Sequence, residues 1–201
     1  YYSGKNYRQT YGPDLKKTSN SEEIFNTYLP FQKKIINRMG VMLNSKMKVL
    51  DVGCSTGHFL YALKGLVDER VGLELNKEHA NFIKKNLDFI VYSEPIESVV
   101  IKEGPFDLIT AFQVLEHIDN PLVFLSNIAK NLKPGGYLYL ELPNIEDAML
   151  SVYQIEGYAD FYYREPHVSY FSQKTLGILL KQAGFKGKIS TVQDYHFLNH
   201  L

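Results

Sequence analysis

Residues 46–53, KMKVLDVG, hold a near-continuous apolar run, interrupted by Lys48, until they meet an acid, Asp51, and a glycine, Gly53. A strand with one wet face alternates apolar and polar side chains. A near-continuous apolar run belongs to a strand covered on both faces, the situation of parallel sheets. The residues that follow, GHFLYALKGL (57–66), have the spacing of a helix. A buried strand, a glycine-bearing turn and a helix make the first half of a crossover unit, and crossover units restrict the chain to a few parallel topologies.

The same alternation recurs. RVGLEL (70–75) predicts a second strand, and NKEHANFIKKNL (76–87) a helix opened by Asn76, with Ala80, Ile83 and Leu87 on one face. DFIVY (88–92) and FDLITAFQVL (106–115) predict the third and fourth strands. Pro121 starts a helix over 121–132, KPGG (133–136) ends it, and YLYLELP (137–143) predicts the fifth strand. Ahead of this core, SEEIFNTYLPFQKKIINRM (21–39) reads as one or two helices broken at Pro30. Behind it, residues 144–171 are irregular and aromatic, SQKTLGILLKQAGF (172–185) is an amphipathic helix capped by Ser172 and ended by Gly184, and KGKISTVQDYH (186–196) predicts a last strand. No repeat or low-complexity linker divides the chain. We expect a cap segment over 1–46 and one α/β domain over 47–201, with the natural protein extending past the C-terminal end.

Charge and composition remove several classes. Lys+Arg and Asp+Glu are equal at 22 each, whereas proteins that track nucleic acid backbones carry a basic excess or patch. The pairs Lys16-Lys17, Lys33-Lys34 and Lys84-Lys85 are short and scattered. A single cysteine, Cys54, excludes an intrachain disulfide and fits a reducing compartment such as the cytoplasm. No apolar run approaches the roughly 18 residues of a membrane span.

In an open parallel sheet, ligands bind beyond the carboxyl ends of the strands, where the strand order reverses. The turn after the first strand is therefore the first candidate site. It lacks the lysine of a phosphate loop. Counted from Gly53, the second and third glycines of a dinucleotide loop would fall on Ser55 and His58. What remains is Asp-x-Gly-x-x-x-Gly, on Asp51, Gly53 and Gly57. Such a loop brings backbone close to a ligand that needs no phosphate grip, and an acid beside it can hold an ammonium group. Glu74 stands 21 positions after Gly53 at the end of the second strand, where an acid grips ribose hydroxyls in nucleotide folds. The bland alternatives are a loop-bracing acid at Asp51 and an ordinary surface acid at Glu74.

Four blocks in order, VLDVGCSTGHFL, VGLELN, FDLITAFQVLEHIDNP and LKPGGYLYLELPN, resemble the class I S-adenosylmethionine-dependent methyltransferases over about residues 47–145, and more loosely to about 190. HVSYFSQKTLGILLKQAGF (167–185) is similar to the small-molecule subgroup that acts on sugar, quinone and antibiotic-type acceptors. The family loop often has glycine where this chain has Ser55. The resemblance implies a Rossmann-like, doubly wound, mostly parallel seven-stranded sheet with helices on both faces and an N-terminal helical cap. It implies S-adenosyl-L-methionine as cofactor and S-adenosyl-L-homocysteine as product. It places cofactor contacts at Asp51, Gly53, Cys54, Ser55, Gly57, Glu74 and Leu75, adenine contacts at Glu94 with Ser93 and Ile96 beside it, and the methionine end at Phe112 and Gln113. Cys54 is also simply a small loop residue.

For the acceptor, Glu116 and His117 end the fourth strand and His167 lies between two elements near the expected pocket. A histidine titrates near neutral pH and can take a proton from a hydroxyl, so His167 and His117 are the candidate catalytic residues. Tyr163, Arg164 and Tyr170, with Tyr162, surround His167 in sequence and can contact an acceptor. Helix capping by Glu116-His117, and a structural role for His167, are the alternatives. Residues 1–14, with four tyrosines, read as a lid or as packing against the core. His196 and His200 stand four apart but lack the adjacent glutamate of a metalloprotease helix, and we expect no metal. The expected reaction moves the sulfonium methyl to a small-molecule acceptor, a sugar or other hydroxylated metabolite, by in-line displacement. The rival readings are a protein or nucleic-acid methyltransferase and a non-catalytic cofactor-binding module.

Overall fold

A computed structural model describes residues 20–40 and 43–192. Five parallel strands form its sheet: β1 (Lys48–Val52), β2 (Glu69–Leu73), β3 (Ile90–Tyr92), β4 (Phe106–Phe112) and β5 (Leu132–Glu141). Their order is β3-β2-β1-β4-β5, all neighbours parallel. The order reverses between β1 and β4, which makes the carboxyl ends of these two strands the switch point of the sheet.

Period-2 alternation explains why β1 is mostly apolar past Lys48. Val49 packs on one face with Phe59, Leu60 and Ile83, from α3 (His58–Ala62) and α4 (Lys77–Asn86). Leu50 and Val52 pack on the other with Phe124, Leu125 and Ile128, from α5 (Pro121–Asn131). Both faces are therefore covered, and past Lys48, which reaches Glu69 and solvent at the strand's start, a polar side chain on β1 has no water to reach. Asp51 is the exception, and it lies opposite Thr110 of β4 in the register.

Local signals account for the helix ends. Asn76 Oδ1 accepts from the amides of Glu78 and His79, and Asn120 Oδ1 accepts from Val123 N ahead of Pro121. Ser172 and Thr175 form a capping box at the start of α8 (Gln173–Gln182), and Gly184 closes it at φ +84°. Pro30 sits in a 3-10 turn, Leu29–Phe31, between α1 (Ser21–Tyr28) and α2 (Gln32–Met39). Both helices lie on the α3 side of the sheet, where Phe25 packs its ring on Tyr61 and Phe82 at centroid distances of 5.3 and 5.7 Å.

The strand count differs from expectation. Among the described residues there are five strands, not seven. Residues 186–192 of the expected last strand pair with no strand, and the rest of that segment lies outside the described residues. Gly187 and the flanking Lys186 and Lys188 weaken its strand preference, and its Ile189 carbonyl is taken by the Gln173 side chain instead. β5 begins earlier than its apolar run because Leu132 already pairs with Phe106, and KPGG forms an irregularity inside the strand. The expected lid over residues 1–14 also lies outside the described residues.

β2 carries a packing constraint of its own. A Cβ at Gly72 would stand 2.6 Å from Cys54 Sγ, with Leu60 and Val91 also in contact. Gly72→Ala should therefore lower stability by about 1–3 kcal/mol through overpacking. Thermal unfolding measures this, and adding Cys54→Ala should recover part of the loss. An unchanged melting temperature would mean the sulfur is not the obstacle.

Candidate functional site

Between β5 and α8 the chain carries two short helices, α6 (Ala148–Ser151) and α7 (Tyr158–Tyr162), then returns across the end of β4. Two hydrogen bonds fix the return: Ser169 N donates to the Glu116 carbonyl (3.1 Å), and His117 Nδ1 meets the Pro166 carbonyl (2.9 Å). The carboxyl edge of the sheet thus has one half at β1, β2 and β3, and a second half at β4 and the returning segment.

In the first half, the turn after β1 is held by hydrogen bonds rather than by apolar contact. The amides of Gly53 and Cys54 donate to the Leu73 carbonyl at 2.7 and 3.1 Å, and Gly57 N donates to the Cys54 carbonyl at 2.9 Å. Gly53 and Gly57 take φ +75° and +80°, where a side chain is strained. A Cβ at Gly57 would stand 2.5 Å from Phe89 Cζ. Ser55, in place of the family's glycine, is held in the left-handed region at φ +52°. Its amide donates to Glu74 Oε2 (2.7 Å), while Glu74 Oε1 accepts from Asn76 N (2.7 Å). Glu74 thus braces the turns after β1 and β2, a role the sequence did not reveal.

Asp51 is 2% exposed and accepts a hydrogen bond from Thr110 Oγ1 at 2.7 Å. Burial raises its pKa to about 7, against the lowering effect of Thr110, and the neighbouring charge of Glu74 adds to the rise. Cys54 faces the core beside Gly72, so only its backbone reaches the turn. Leu75 is exposed at the rim. Glu94 is exposed beyond β3, folded back to accept from Ser93 N, with Ile96 buried beside it.

At the end of β4, Phe112 packs edge-on against Phe59 (4.8 Å) and tilted on Tyr139 (5.8 Å). Gln113 takes φ +53° and donates its amide to the Glu141 carbonyl at 2.7 Å. Two non-glycine residues in left-handed conformation, Ser55 and Gln113, therefore follow the two strands of the switch point, and such strain gathers at functional sites. The Glu141 carboxylate also holds Arg38 of α2 (2.6 Å to Nη2) and Tyr139 Oη (2.5 Å). Thr110, Arg38, Tyr139 and Glu141 went unnoticed in the sequence. The available signal was an acid at the end of β5, the same position that singled out Asp51 and Glu74.

In the second half, Glu116, His117 and His167 come together although His167 lies fifty positions beyond His117. The two imidazole rings stand edge to face at 4.6 Å, and Tyr170 lies 5.2 Å from His167. Glu116 is 1% exposed, and burial lifts its pKa to about 8. Burial lowers His117 to about 3, with His167 and Arg164 adding to the effect, and lowers His167 to about 4, with Arg164 again contributing. The 3.8 Å approach of His117 Nε2 to Glu116 Oε1 is therefore a contact of two neutral groups near pH 7, not an ion pair. Tyr170 Oη accepts from Arg164 N and donates to the Tyr162 carbonyl, and Tyr163 is exposed with its ring edge-on to Tyr170. Neutral imidazoles beside a hydroxyl-rich aromatic wall can accept a proton or coordinate an ion.

Residues 25–188 match a family model described as a methyltransferase domain. Among curated proteins, the chain is 31% identical over 121 residues to the mitochondrial ubiquinone biosynthesis O-methyltransferase of Candida albicans, covering 54% of this chain and 36% of that one. It is 25% identical over 160 residues to the ubiquinone biosynthesis O-methyltransferase of Thiobacillus denitrificans, covering 74% and 68%. The chain thus spans from about a third to two thirds of the length of these relatives. Among solved structures, an S-adenosylmethionine-dependent methyltransferase from Archaeoglobus fulgidus superposes with a TM-score of 0.65 at 25% identity, over 92% of this chain and 79% of that one. No helix among the described residues is long and apolar enough to cross a membrane.

Proposed function

The chain belongs to the methyltransferase-domain family, as a class I enzyme using S-adenosylmethionine, and from that premise we propose that it methylates a hydroxyl of a small acceptor, a sugar or other hydroxylated metabolite. The observation that carries the proposal is the meeting of Glu116, His117 and His167 next to the switch point. The residues at the β1–β2 edge fit the cofactor: an acceptor-only carboxylate at Glu74 for the ribose diol, a buried acid at Asp51 for the amino-acid ammonium, and a turn whose positive-φ glycines expose backbone at Gly53, Cys54, Ser55 and Gly57. We assign the adenine edge to Glu94, a cofactor contact to Leu75, and the methionine end to Phe112 and Gln113. When bound, S-adenosylmethionine supplies a methyl group already activated on a sulfonium.

The chain's own part is alignment, exclusion of water and care of the acceptor's proton. In-line attack demands that the acceptor oxygen be held close and directed, which alone can account for much of the acceleration. Tyr163, Arg164, Tyr170 and Glu116 are the proposed walls of the acceptor site. A hydroxyl is a poor nucleophile until its proton leaves, and we assign that proton to His167 and His117, neutral at pH 7 and therefore able to deal with it. The curated relatives named above are O-methyltransferases, which supports oxygen as the accepting atom.

Incubation with methyl-labelled donor and pools of small hydroxylated acceptors should give labelled small molecules and stoichiometric S-adenosylhomocysteine. Label recovered in protein or nucleic acid would replace the proposal, and tight cofactor binding with no transfer to any pool would reduce the chain to a binding module. His167→Ala should slow turnover by about tenfold, with His117 substituting in part, and leave the affinity for S-adenosylhomocysteine unchanged. Normal turnover would remove His167 from the chemistry.

A further inference from the structure

Thr110 lies on β4, fully buried at 0% exposure. The register places it between Asp51 of β1 and Tyr139 of β5, so the three stand in one row across the sheet, on the same face as Val49 and α3. A hydroxyl in that position must be satisfied by protein. Two acceptors lie within its reach: Asp51 Oδ1 at 2.7 Å and the Leu50 carbonyl at 3.5 Å. A hydroxyl has one proton to give. The short bond to an ionised carboxylate takes it. Protonation of Asp51 weakens that bond, whichever oxygen takes the proton. A neutral carboxyl oxygen is a poorer acceptor, and a Thr110 that accepts from Asp51 can give its own proton only to the distant carbonyl. The arrangement favours the carboxylate over the acid, which is the direction in which Thr110 moves the Asp51 pKa.

Among the described residues, Thr110 is the one hydrogen-bond donor that reaches the Asp51 carboxylate. Gly72, the partner of Asp51 on β2, has no side chain. α3 and α4 bring Phe59, Leu60 and Ile83 to this side of the sheet. The titratable groups that act on Asp51 or feel its charge are Glu74, at the end of β2, and Cys54, in the turn. Glu74 raises the Asp51 pKa, and burial pushes the Cys54 thiol far enough up to keep it neutral. His58, at the start of α3, turns its Nδ1 to Thr56 Oγ1 at 3.1 Å. On β5, Tyr139 Oη donates to the Glu141 carboxylate, which also holds Arg38 of α2. Burial and Glu74 thus oppose ionisation of Asp51, and the Thr110 hydroxyl opposes them.

We infer that Thr110 is a positioning residue for the amino-acid end of the cofactor: its hydrogen bond favours the ionised Asp51 carboxylate that receives the ammonium. The inference rests on the assignment of Asp51 to that ammonium. Threonine suits the task because its β-branched side chain has few rotamers on a strand, so the hydroxyl stays aimed at β1. Thr110 comes from β4, on the far side of the switch point from β1 and β2, so the strand that leads to the acceptor side also sets the grip on the cofactor.

S-adenosylhomocysteine is the probe, titrated calorimetrically into the full chain at pH 6.5 and pH 8.5. Thr110→Val keeps the shape of the side chain and loses the hydroxyl. It should weaken binding about tenfold at pH 6.5, where ionising Asp51 is the costly step, and no more than about threefold at pH 8.5, where solvent has already taken the proton. Thr110→Ser keeps the hydroxyl and should stay within about threefold of wild type at both pH values. In an Asp51→Asn background, where nothing ionises, adding Thr110→Val should cost no more than about twofold. Thr110→Ala, smaller than threonine, repeats the comparison, and thermal unfolding reports that each variant is folded. A loss equal at both pH values, or affinities of the valine and alanine variants within about threefold of wild type at pH 6.5, overturns the role of Thr110. Asp51→Asn alone separates the two readings. If it binds as tightly as wild type, the ammonium assignment falls and the inference with it. A weakened Asp51→Asn beside an unaffected Thr110→Val removes the inference and leaves the assignment standing.

Discussion

Glu74→Ala should lower the affinity for S-adenosylhomocysteine by at least about 100-fold in calorimetry. Two losses add. The first is structural: Glu74 Oε2 and Oε1 hold the amides of Ser55 and Asn76, each at 2.7 Å. Ser55 sits at φ +52°, a conformation that costs a non-glycine residue about 1 kcal/mol or more and persists only when its surroundings hold it there. Without the carboxylate, the turn is free to relax away from the geometry that exposes its backbone. The second loss is the proposed grip on the ribose diol, where hydrogen bonds to a charged group are each worth roughly 1.5–3 kcal/mol. Together they reach about 3 kcal/mol, or 100-fold. Glu74→Gln separates the two, since one amide oxygen can still accept while the new NH2 faces either Ser55 N or Asn76 N. It should fall between wild type and Ala. Glu74 lies at the rim, outside both core clusters, so circular dichroism should show an intact fold. Affinity for the alanine variant within threefold of wild type would remove both the brace and the diol assignment.

The difference between what the sequence announced and what it concealed follows the range of the interactions. The β1 run, the Asn76 and Ser172 caps and the break at Pro30 depend on residues within a few positions of one another, and all are present where expected. Glycines 53 and 57 were readable for the same reason. The Glu74–Ser55 bond depends on β2 lying beside β1 in a register that pairs Val52 with Leu73, which no local pattern encodes. Asp51 looked anomalous because its satisfying partner, Thr110, is 59 positions away. Each member of the Glu116, His117, His167 group was conspicuous alone, but their meeting needs the chain to pass through α6 and α7 and return over β4. The strand predicted over 186–196 failed in residues 186–192 because Gly187 and the flanking lysines weaken its strand preference and the Ile189 carbonyl bonds the Gln173 side chain instead of a neighbouring strand.

Asp51 makes the stability of the cofactor-free protein depend on pH in a direction opposite to ordinary acid denaturation. Its carboxyl has a folded pKa of about 7, well above the roughly 3.9 of an aspartate in an unfolded chain, chiefly because burial penalises the charged form. The folded state therefore binds the proton more tightly than the unfolded chain. The stability held by the protonated group is fully present below about pH 4 and is lost as pH rises through 7. Three pKa units correspond to roughly 4 kcal/mol at full effect, so a loss on the order of 2–4 kcal/mol is expected between pH 5 and 8. Glu116, raised to about 8, adds a loss of the same sign at the upper end of this range. Asp51→Asn keeps an oxygen for Thr110 Oγ1 and cannot ionise, so its melting temperature should fall less over pH 5–7 than that of wild type. The ammonium proposed to face Asp51 favours the ionised carboxylate, so saturating S-adenosylhomocysteine should flatten the wild-type profile and leave the Asp51→Asn profile unmoved in slope. Parallel profiles for wild type and variant would show that Asp51 is not the titrating group. An equal slope with and without the ligand would separate Asp51 from the amino-acid end of the cofactor.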